Sequence, residues 1–261
     1  MTADPPPLPF FAHYRVRFDE ADGTGALRAS ACLRYMQDVA WQHSTSVGFD
    51  MAWYASQDRF WLVRCIELRV LSPVPYGAEV TVSTELVAMR RVWARRMSEF
   101  RLPDGALAAA AHIDWIMTDG GGRPARIPGA MAAAFPVPGS SQAPGRLDLP
   151  GPSGGTRGGS AAAEAAIEVV VRRSEIDPMR HMNNAVYLDY LEEAVAAAGG
   201  AALLDSCPLR YRLEFLLPAL QGARLIGRAW PVPGGWGYLL AGEDGAAQFR
   251  GMVDRPGGRP T

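Results

Sequence analysis

Asp177, His181, Asn183 and Asn184 fall within eight positions of the stretch EIDPMRHMNNAVYLDYLEEAV, which runs from Glu175 to Val195 and carries a helical pattern of apolar residues directly after them. Histidine ordinarily titrates close to neutrality, so His181 suits proton transfer to a departing group or from a water molecule. Asp177, four residues earlier, could orient that imidazole, act as base toward water, or attack a carbonyl carbon and form an anhydride; the residue types leave all three open. A helix start adds a second resource. Its first backbone N–H groups lack intrahelical partners and its dipole end is positive, which favours negative charge developing on a carbonyl oxygen. Either asparagine could instead cap the helix with its side-chain oxygen, worth about 0.5–2 kcal/mol, and capping is the favoured role for Asn184. Asp177 has a structural alternative as well, an Asx turn ahead of Pro178.

The helix that would position these groups is expected from about Asn184 to Ala198. Val186, Tyr187, Tyr190, Leu191, Ala194 and Val195 recur at three- and four-residue spacings, and Gly199 and Gly200 should end it. The same layout stands earlier in the chain. VRFDEADGTGALRASACLRYMQDVA (Val16 to Ala40) aligns without a gap on VRRSEIDPMRHMNNAVYLDYLEEAV (Val171 to Val195) at a constant offset of 155 residues, with six of 25 positions identical, among them Arg17/Arg172, Asp22/Asp177 and Tyr35/Tyr190. A Pro-x-x-x-Gly anchor recurs at Pro73/Gly77 and Pro218/Gly222. The chain therefore reads as one fold written twice.

Each copy begins with a short strand, an aspartate-bearing loop and one apolar helix, then continues in strands. These are expected at Phe60–Leu71, Glu79–Met89, Val92–Arg101 and Ala106–Met117 in the first copy, and at Leu209–Leu217, Ala223–Pro231, Tyr238–Ala241 and Ala246–Val253 in the second. One helix against several hairpin-linked strands predicts an α+β class with an antiparallel sheet. Between the copies, 14 of the 22 residues from Gly139 to Ser160 are Gly, Pro or Ser, a composition that cannot bury enough apolar surface to offset its own ordering entropy. The expected domains are 1–138 and 167–261, joined by a flexible linker at 139–166. The linker contains GPSGG, which matches the nucleophile-elbow pattern around Ser153, but no strand and helix flank it, so a nucleophilic role is not expected.

Composition narrows the chemistry further. The 261 residues are 48% hydrophobic, and 26 basic against 27 acidic side chains give a net charge of −1, so no global field favours nucleic acid or an anionic membrane. Every basic residue is arginine, which removes Schiff-base and lysine-base mechanisms. Cys32, Cys65 and Cys207 are odd in number and form no CxxC pair, so neither disulfides nor a zinc site is expected, and a reducing, cytoplasmic location fits best. Neither MTADPPPLPFF at the start nor the glycine-broken run Ala194–Leu204 predicts a signal peptide or a membrane span. The other histidines, His13, His43 and His112, are scattered and make no metal cluster; His43 is expected near the end of the first helix, where a cation would suit the dipole.

DPMRHMNNAVYLDYLEEA closely resembles the D-x-x-G-H-V-N-N-x-x-Y-x-x-Y-x-E-E-A signature of hotdog-fold thioesterases, in which an antiparallel sheet wraps a central helix. With two copies in one chain, the nearer resemblance is to the acyl-acyl-carrier-protein thioesterases of plants and bacteria. It covers roughly residues 14–130 and 167–225, including FWLVRCIELRVLSPVPYGAEVTVST, the double arginine of MRRVW and AHIDWIMTDGGGRPARIP. The resemblance implies two tandem hotdog domains that hydrolyse an acyl thioester of a carrier protein or coenzyme A, without cofactor or metal. It implies catalytic roles for Asp177, His181 and Asn183, with the Asn183 side chain helping to orient the thioester and Asn184 as a substrate contact. The chain would act as a monomer, a pseudo-dimer in itself, or as a homodimer. Ala26 and Arg28 stand where His181 and Asn183 do, so the first copy is expected to hold a degenerate site and most of the acyl-chain pocket.

The sequence also departs from the plant enzymes. Met179 replaces an asparagine two residues before the histidine, and Pro218 and Ala219 stand where a glutamate–cysteine pair belongs, so Glu214 is read as structural. Two alternatives follow, a non-catalytic acyl-carrier binding module and a hotdog dehydratase acting on 3-hydroxyacyl thioesters. MRRVWARRM (Met89 to Met97), read as strand, gives Arg91 and Arg95 to one face and Arg90 and Arg96 to the other. An arginine face there could dock an acidic carrier or its phosphopantetheine phosphate.

Overall fold

The structure, a computed structural model, describes residues 9–135, 137, 145–151 and 165–256. Contacts divide the chain into two compact units. One comprises the residues up to Ile66 with Ser72–Gly145, and the other Glu67–Leu71 with everything from Arg146 on.

The first unit holds β1 (Phe10–Arg15), β2 (Phe60–Val70) as far as Ile66, β3 (Glu79–Arg90), β4 (Trp93–Arg101) and β5 (Leu107–Thr118), in the sheet order β1-β3-β4-β5-β2. Burial alternates residue by residue along β3, which turns Val80, Val82, Thr84, Leu86 and Ala88 inward, as a period-two sequence in a one-sided sheet must. The 18-residue helix α1 (Ala29–Ser46) packs against β3, β1 and β4 and buries Ala31, Leu33, Met36 and Val39 completely. Two short helices, α2 (Met51–Ser56), capped by the Asp50 side chain, and α3 (Gly129–Ala134), have no counterpart in the expectations.

The second unit repeats the plan. β6 (Ala165–Val170), β7 (Leu209–Phe215), β8 (Arg224–Val232), β9 (Gly235–Gly242) and β10 (Ala247–Asp254) run in the order β7-β10-β9-β8-β6, and the pairs β6–β8, β8–β9, β9–β10 and β10–β7 are antiparallel. Helix α4 (Asn184–Val195) lies on β8, β6 and β9. Leu188, Leu191, Ala194 and Val195 are fully buried, and each such aliphatic side chain larger than alanine contributes about 1.5–3 kcal/mol by leaving water. The helix approaches β10 so closely that a Cβ on Gly251 would lie 2.3 Å from Leu191 Cδ1.

The helix boundary differs from expectation. Gly199 and Gly200 do not end the helical path; Ala196–Gly200 forms a π turn that leads into α5 (Ala201–Leu204). Gly199 makes this possible with φ 98°, and at Gly200 a Cβ would sit 2.4 Å from Val195 Cγ1. Most of the expected linker, including Ser153, lies outside the described residues. From Arg146 on, its described part is held to the second unit, with Leu147 N donating to Glu214 Oε2 at 3.2 Å and Trp230 Nε1 to Pro150 O at 2.9 Å.

Candidate active site

The loop ahead of α4 is closed by its own backbone. Asp177 N donates to His181 O (3.0 Å), Arg180 N to Asp177 O (2.9 Å) and Asn183 N to Glu175 O (2.8 Å). The turn forces Arg180 into the left-handed region at φ 66°, where a non-glycine residue is uncommon. Tyr190, one turn and a half into α4, reaches back with its hydroxyl to Glu175 Oε1 at 2.7 Å and ties the loop to the helix.

This loop brings Asp177 and His181 together. His181 Nδ1 lies 3.9 Å from Asp177 Oδ1, and the two side chains are only 16% and 12% exposed. The ring's Nδ1 is also 3.4 Å from Met182 O, a long contact open to the tautomer that carries its proton on Nδ1 and keeps Nε2 as acceptor. Nε2 is buried and has no hydrogen-bond partner among the described residues. Burial pushes the Asp177 carboxyl above its ordinary range, against the opposing pull of the His181 charge and of the Met179 and His181 amides. The result is a carboxylate that binds a proton more readily than usual.

Asn183, not Asn184, is the N-cap: its Oδ1 accepts from Ala185 N at 3.0 Å, and its carbonyl accepts from Val186 N at 2.9 Å. Two amides expected to face a substrate oxygen are thus occupied. The cap also fixes the side-chain amide, because with Oδ1 turned to the helix the Nδ2 donors point the other way. Asn184 is the first residue of α4 and is half-buried.

The profile of the acyl-ACP thioesterase N-terminal domain matches residues 7–135, and that of the C-terminal domain matches residues 160–222. The chain belongs to the acyl-ACP thioesterase family. Hydrolysis of an acyl thioester is the activity that goes with that membership. Among solved structures, an oleoyl thioesterase (putative) from Lactobacillus plantarum is similar at a TM-score of 0.79 and 20% identity, over 94% of each chain. The 12:0-ACP thioesterase from Umbellularia californica follows at 0.77 and 19%, over 95% of this chain and 93% of that one. An acyl-ACP thioesterase from Bacteroides thetaiotaomicron gives 0.74 and 14%, over 94% and 96%. These likenesses show the fold, tandem hotdog units. No curated protein sequence matches the chain.

In this thioesterase the arginine run is not one strand. Arg90 pairs with Trp93 across a two-residue turn, so Arg91 sits in the turn at φ 41° and shares no strand face with Arg95. The break expected between strands Glu79–Met89 and Val92–Arg101 falls on this turn, and it is the reading of Met89 to Met97 as one continuous strand that the hairpin overturns. Arg95 holds Asp114 by two bonds, Nε to Oδ1 at 2.7 Å and Nη2 to Oδ2 at 2.9 Å. Arg91 instead joins Arg90 and Arg126, all exposed, around an open groove that continues along Met89, Ile127 and Phe135.

Glu214 is completely buried and accepts from Leu147 N and from the Arg250 guanidinium. His43 is buried inside α1 with its pKa driven down to about 4 by burial and by Arg96, so it is neutral and does not serve as a dipole-capping cation. His13 contacts Thr81 Oγ1 on the sheet, and His112 is exposed on β5. Among the described residues no three His, Cys, Asp or Glu side chains converge as a metal site, and no helix is long and apolar enough to cross a membrane. Tyr187, read from its spacing only as part of the apolar stripe, carries a polar end: its hydroxyl accepts from Ala219 N at 3.0 Å, and the Asp177 charge helps burial push it up to about 12.

Proposed function

We propose that the thioester is cleaved by water at the front of α4, with Asp177, His181 and Asn183 as the working groups. His181 Nε2 takes a proton from water as the oxygen attacks the thioester carbon. The carbonyl oxygen gains negative charge opposite the Asn183 Nδ2 donors and the positive end of α4. When the C–S bond breaks, the imidazolium returns the proton to the departing thiolate, and the acid and the thiol leave. Asp177, beside the ring's Nδ1 face, stabilises the imidazolium formed in between. The observation that carries this reading is the buried, unpartnered Nε2 of His181 next to an acid whose proton affinity burial has raised.

The carrier would dock on the exposed Arg90, Arg91 and Arg126, which suit an acidic protein or a pantetheine phosphate, with Arg91 retained from the expected pair and Arg95 set aside for Asp114. Asn184, next to the cap, is the further substrate contact. The first copy supplies the acyl-chain pocket. Cys32, Cys65 and Cys207 form no disulfide, which agrees with a cytoplasmic setting.

The test is thiol release from acyl-carrier and acyl-coenzyme A thioesters of graded length. Free thiol appearing in step with free acid supports hydrolysis. Binding without release would mean a non-catalytic acyl binder, and an enoyl product from a 3-hydroxyacyl thioester would mean a dehydratase.

A further inference from the structure

Arg96 lies on β4 of the first unit, is 8% exposed, and has no carboxylate within ion-pair distance among the described residues. Asp114 on the next strand is held by Arg95 through two bonds. What Arg96 has instead is neutral. Its Nη1 donates to His43 Nδ1 at 3.1 Å, and His43, with its pKa driven down to about 4 by burial and by Arg96 itself, brings no charge. Burial lowers the Arg96 pKa only to about 10, so the guanidinium is charged at neutral pH. Buried charges are normally paired, because an unpaired one loses its hydration without return.

The guanidinium lines a cavity of about 40 Å³ whose wall is rich in unspent hydrogens. Trp115 lines it too, and its Nε1–H is buried with no acceptor among the described residues. Ser44 Oγ and the Tyr54 hydroxyl, also on the wall, lie 2.8 Å apart, and the Tyr54 oxygen accepts a further bond from Trp61 Nε1 at 3.1 Å. The contact between the two hydroxyls uses one of their two protons and leaves the other to donate. The rest of the lining is largely apolar, Leu86 and Met131 among it, and none of it is acidic. A water molecule takes up roughly 10–15 Å³ of such space, so the cavity has room for one monatomic anion or a few waters and not for an acyl chain.

We propose that this cavity is a binding site for one monatomic anion, chloride, seated between the Arg96 guanidinium and the Trp115 Nε1–H and completed by the free hydroxyl proton of the Ser44 and Tyr54 pair. Arg96 stands opposite Ile113 across the β4–β5 ladder, which makes Trp115 its diagonal neighbour on the same sheet face, within reach of side chains this long. A spherical anion accepts from all three donors without a preferred direction and neutralises the guanidinium. Water would add hydrogens to a wall already rich in them and leave the charge uncompensated. Because Ser44 comes from α1, the anion joins that helix to β4 and β5 and serves stability, not turnover.

The chloride NMR linewidth in solutions of the full chain tests the site without thioester chemistry. With gluconate as the background anion, the protein should broaden the chloride line saturably, at one site per chain. Bromide should displace chloride at comparable concentration, and sulfate, too large for the cavity, should not. Arg96→Met should abolish the broadening, Trp115→Phe should weaken binding several-fold, and Arg224→Gln, at an exposed arginine, should leave it unchanged. Replacing gluconate by chloride at fixed ionic strength should raise Tm of the unaltered protein and not of Arg96→Met, as a ligand held only by the folded state requires. A bromide-soaked crystal should show one anomalous peak between Arg96 and Trp115. No saturable broadening, displacement by sulfate as readily as by bromide, a signal retained in folded Arg96→Met, or water alone between Arg96 and Trp115 in the bromide-soaked crystal would overturn the proposal. The titration and the bromide position are read on the unaltered protein, so an Arg96→Met that fails to fold does not spoil the test. Thiol release is not among the readouts, and the anion site stands or falls apart from the proposed function.

Discussion

The loops ahead of α1 and α4 have the same backbone and different chemistry. Asp22 N to Ala26 O, Gly25 N to Asp22 O and Arg28 N to Glu20 O in the first copy repeat, 155 residues on, as Asp177 N to His181 O, Arg180 N to Asp177 O and Asn183 N to Glu175 O. The left-handed position is Gly25 in one and Arg180 in the other. In the first loop Asp22 Oδ1 accepts from Thr24 N (2.8 Å), Thr24 Oγ1 (2.7 Å) and Ala26 N (3.0 Å). Burial raises its proton affinity, but these bonds and the Arg28 charge outweigh it and hold the carboxyl below its ordinary range. Asp177 lacks the threonine, is more enclosed, and is shifted the opposite way. The aspartate thus serves the turn in both copies, and only the second leaves it with proton affinity to use.

That contrast predicts its largest effect in turnover. His181→Ala and Asp177→Asn should each lower kcat by roughly 10²–10⁴-fold, the usual loss on removing an acid–base group. Asp22→Asn should stay within a few-fold of normal. Steady-state thiol release on folded variants checks all three, and a turnover collapse in folded Asp22→Asn would erase the asymmetry between the copies.

Stability should run the other way. Asp22 is held more acidic in the folded state, so its contribution is present above the ordinary carboxylate pKa and fades as pH falls through the lowered one. Asp177 is held less acidic, so its ionisation opposes folding, and that cost grows as pH rises through the carboxylate range. At neutral pH Asp22→Asn should therefore lower Tm, while Asp177→Asn should raise it or leave it unchanged; below the carboxylate range both differences should shrink. Melting curves at pH 7 and pH 3 show whether the signs are opposite. The caps extend the comparison. Asn183→Ala should cost about 0.5–2 kcal/mol, whereas Arg28→Asn should gain part of that, since Arg28 provides no side-chain cap and its guanidinium turns back to Asp19 O at 3.0 Å. Denaturant titration measures both.

Apart from β9, which begins at Gly235 and not at the expected Tyr238, strand ends were legible to within about two residues because apolar alternation and hairpin spacing are properties of the local sequence, as along β3 and β10. The helix was legible on its buried stripe and not at its end, since a glycine pair marks a change of direction without saying whether helix resumes beyond it. Adjacent asparagines could not be told apart, because which one caps depends on where the chain leaves the Asp177 turn. His43 differs from expectation for a related reason: its position near a helix end suggests a cation, but its charge is decided by burial and then by Arg96 from β4, fifty-three residues away in sequence. The pairing of Arg95 with Asp114 is likewise a cross-strand fact.

The smallest effects belong to the hairpins, where the copies differ again. Between β8 and β9 the two-residue turn is Pro233 and Gly234, and the glycine takes φ 78°; between β3 and β4 the positive φ, 41°, falls on Arg91. A glycine does this without steric cost, so the first copy keeps an arginine where a smaller residue would sit more easily. Ile127 N and Met117 N donate to the carbonyls of Arg91 and Val92 at 2.8 and 2.7 Å and hold the turn in place. If the exposed guanidinium is there to meet a carrier, Arg91→Gly should preserve or slightly raise Tm and yet raise KM for acyl-carrier substrates several-fold, with a weaker salt dependence and little change on small acyl-thioester analogues. Arg126→Gln should do the same without the gain in Tm. Arg95→Gln should instead lower stability, because it leaves Asp114 buried and short of its partner, and should affect carrier and small substrates alike. A KM defect confined to carrier substrates in Arg95→Gln, and missing in Arg91→Gly, would move the docking face back to the strand and away from the turn.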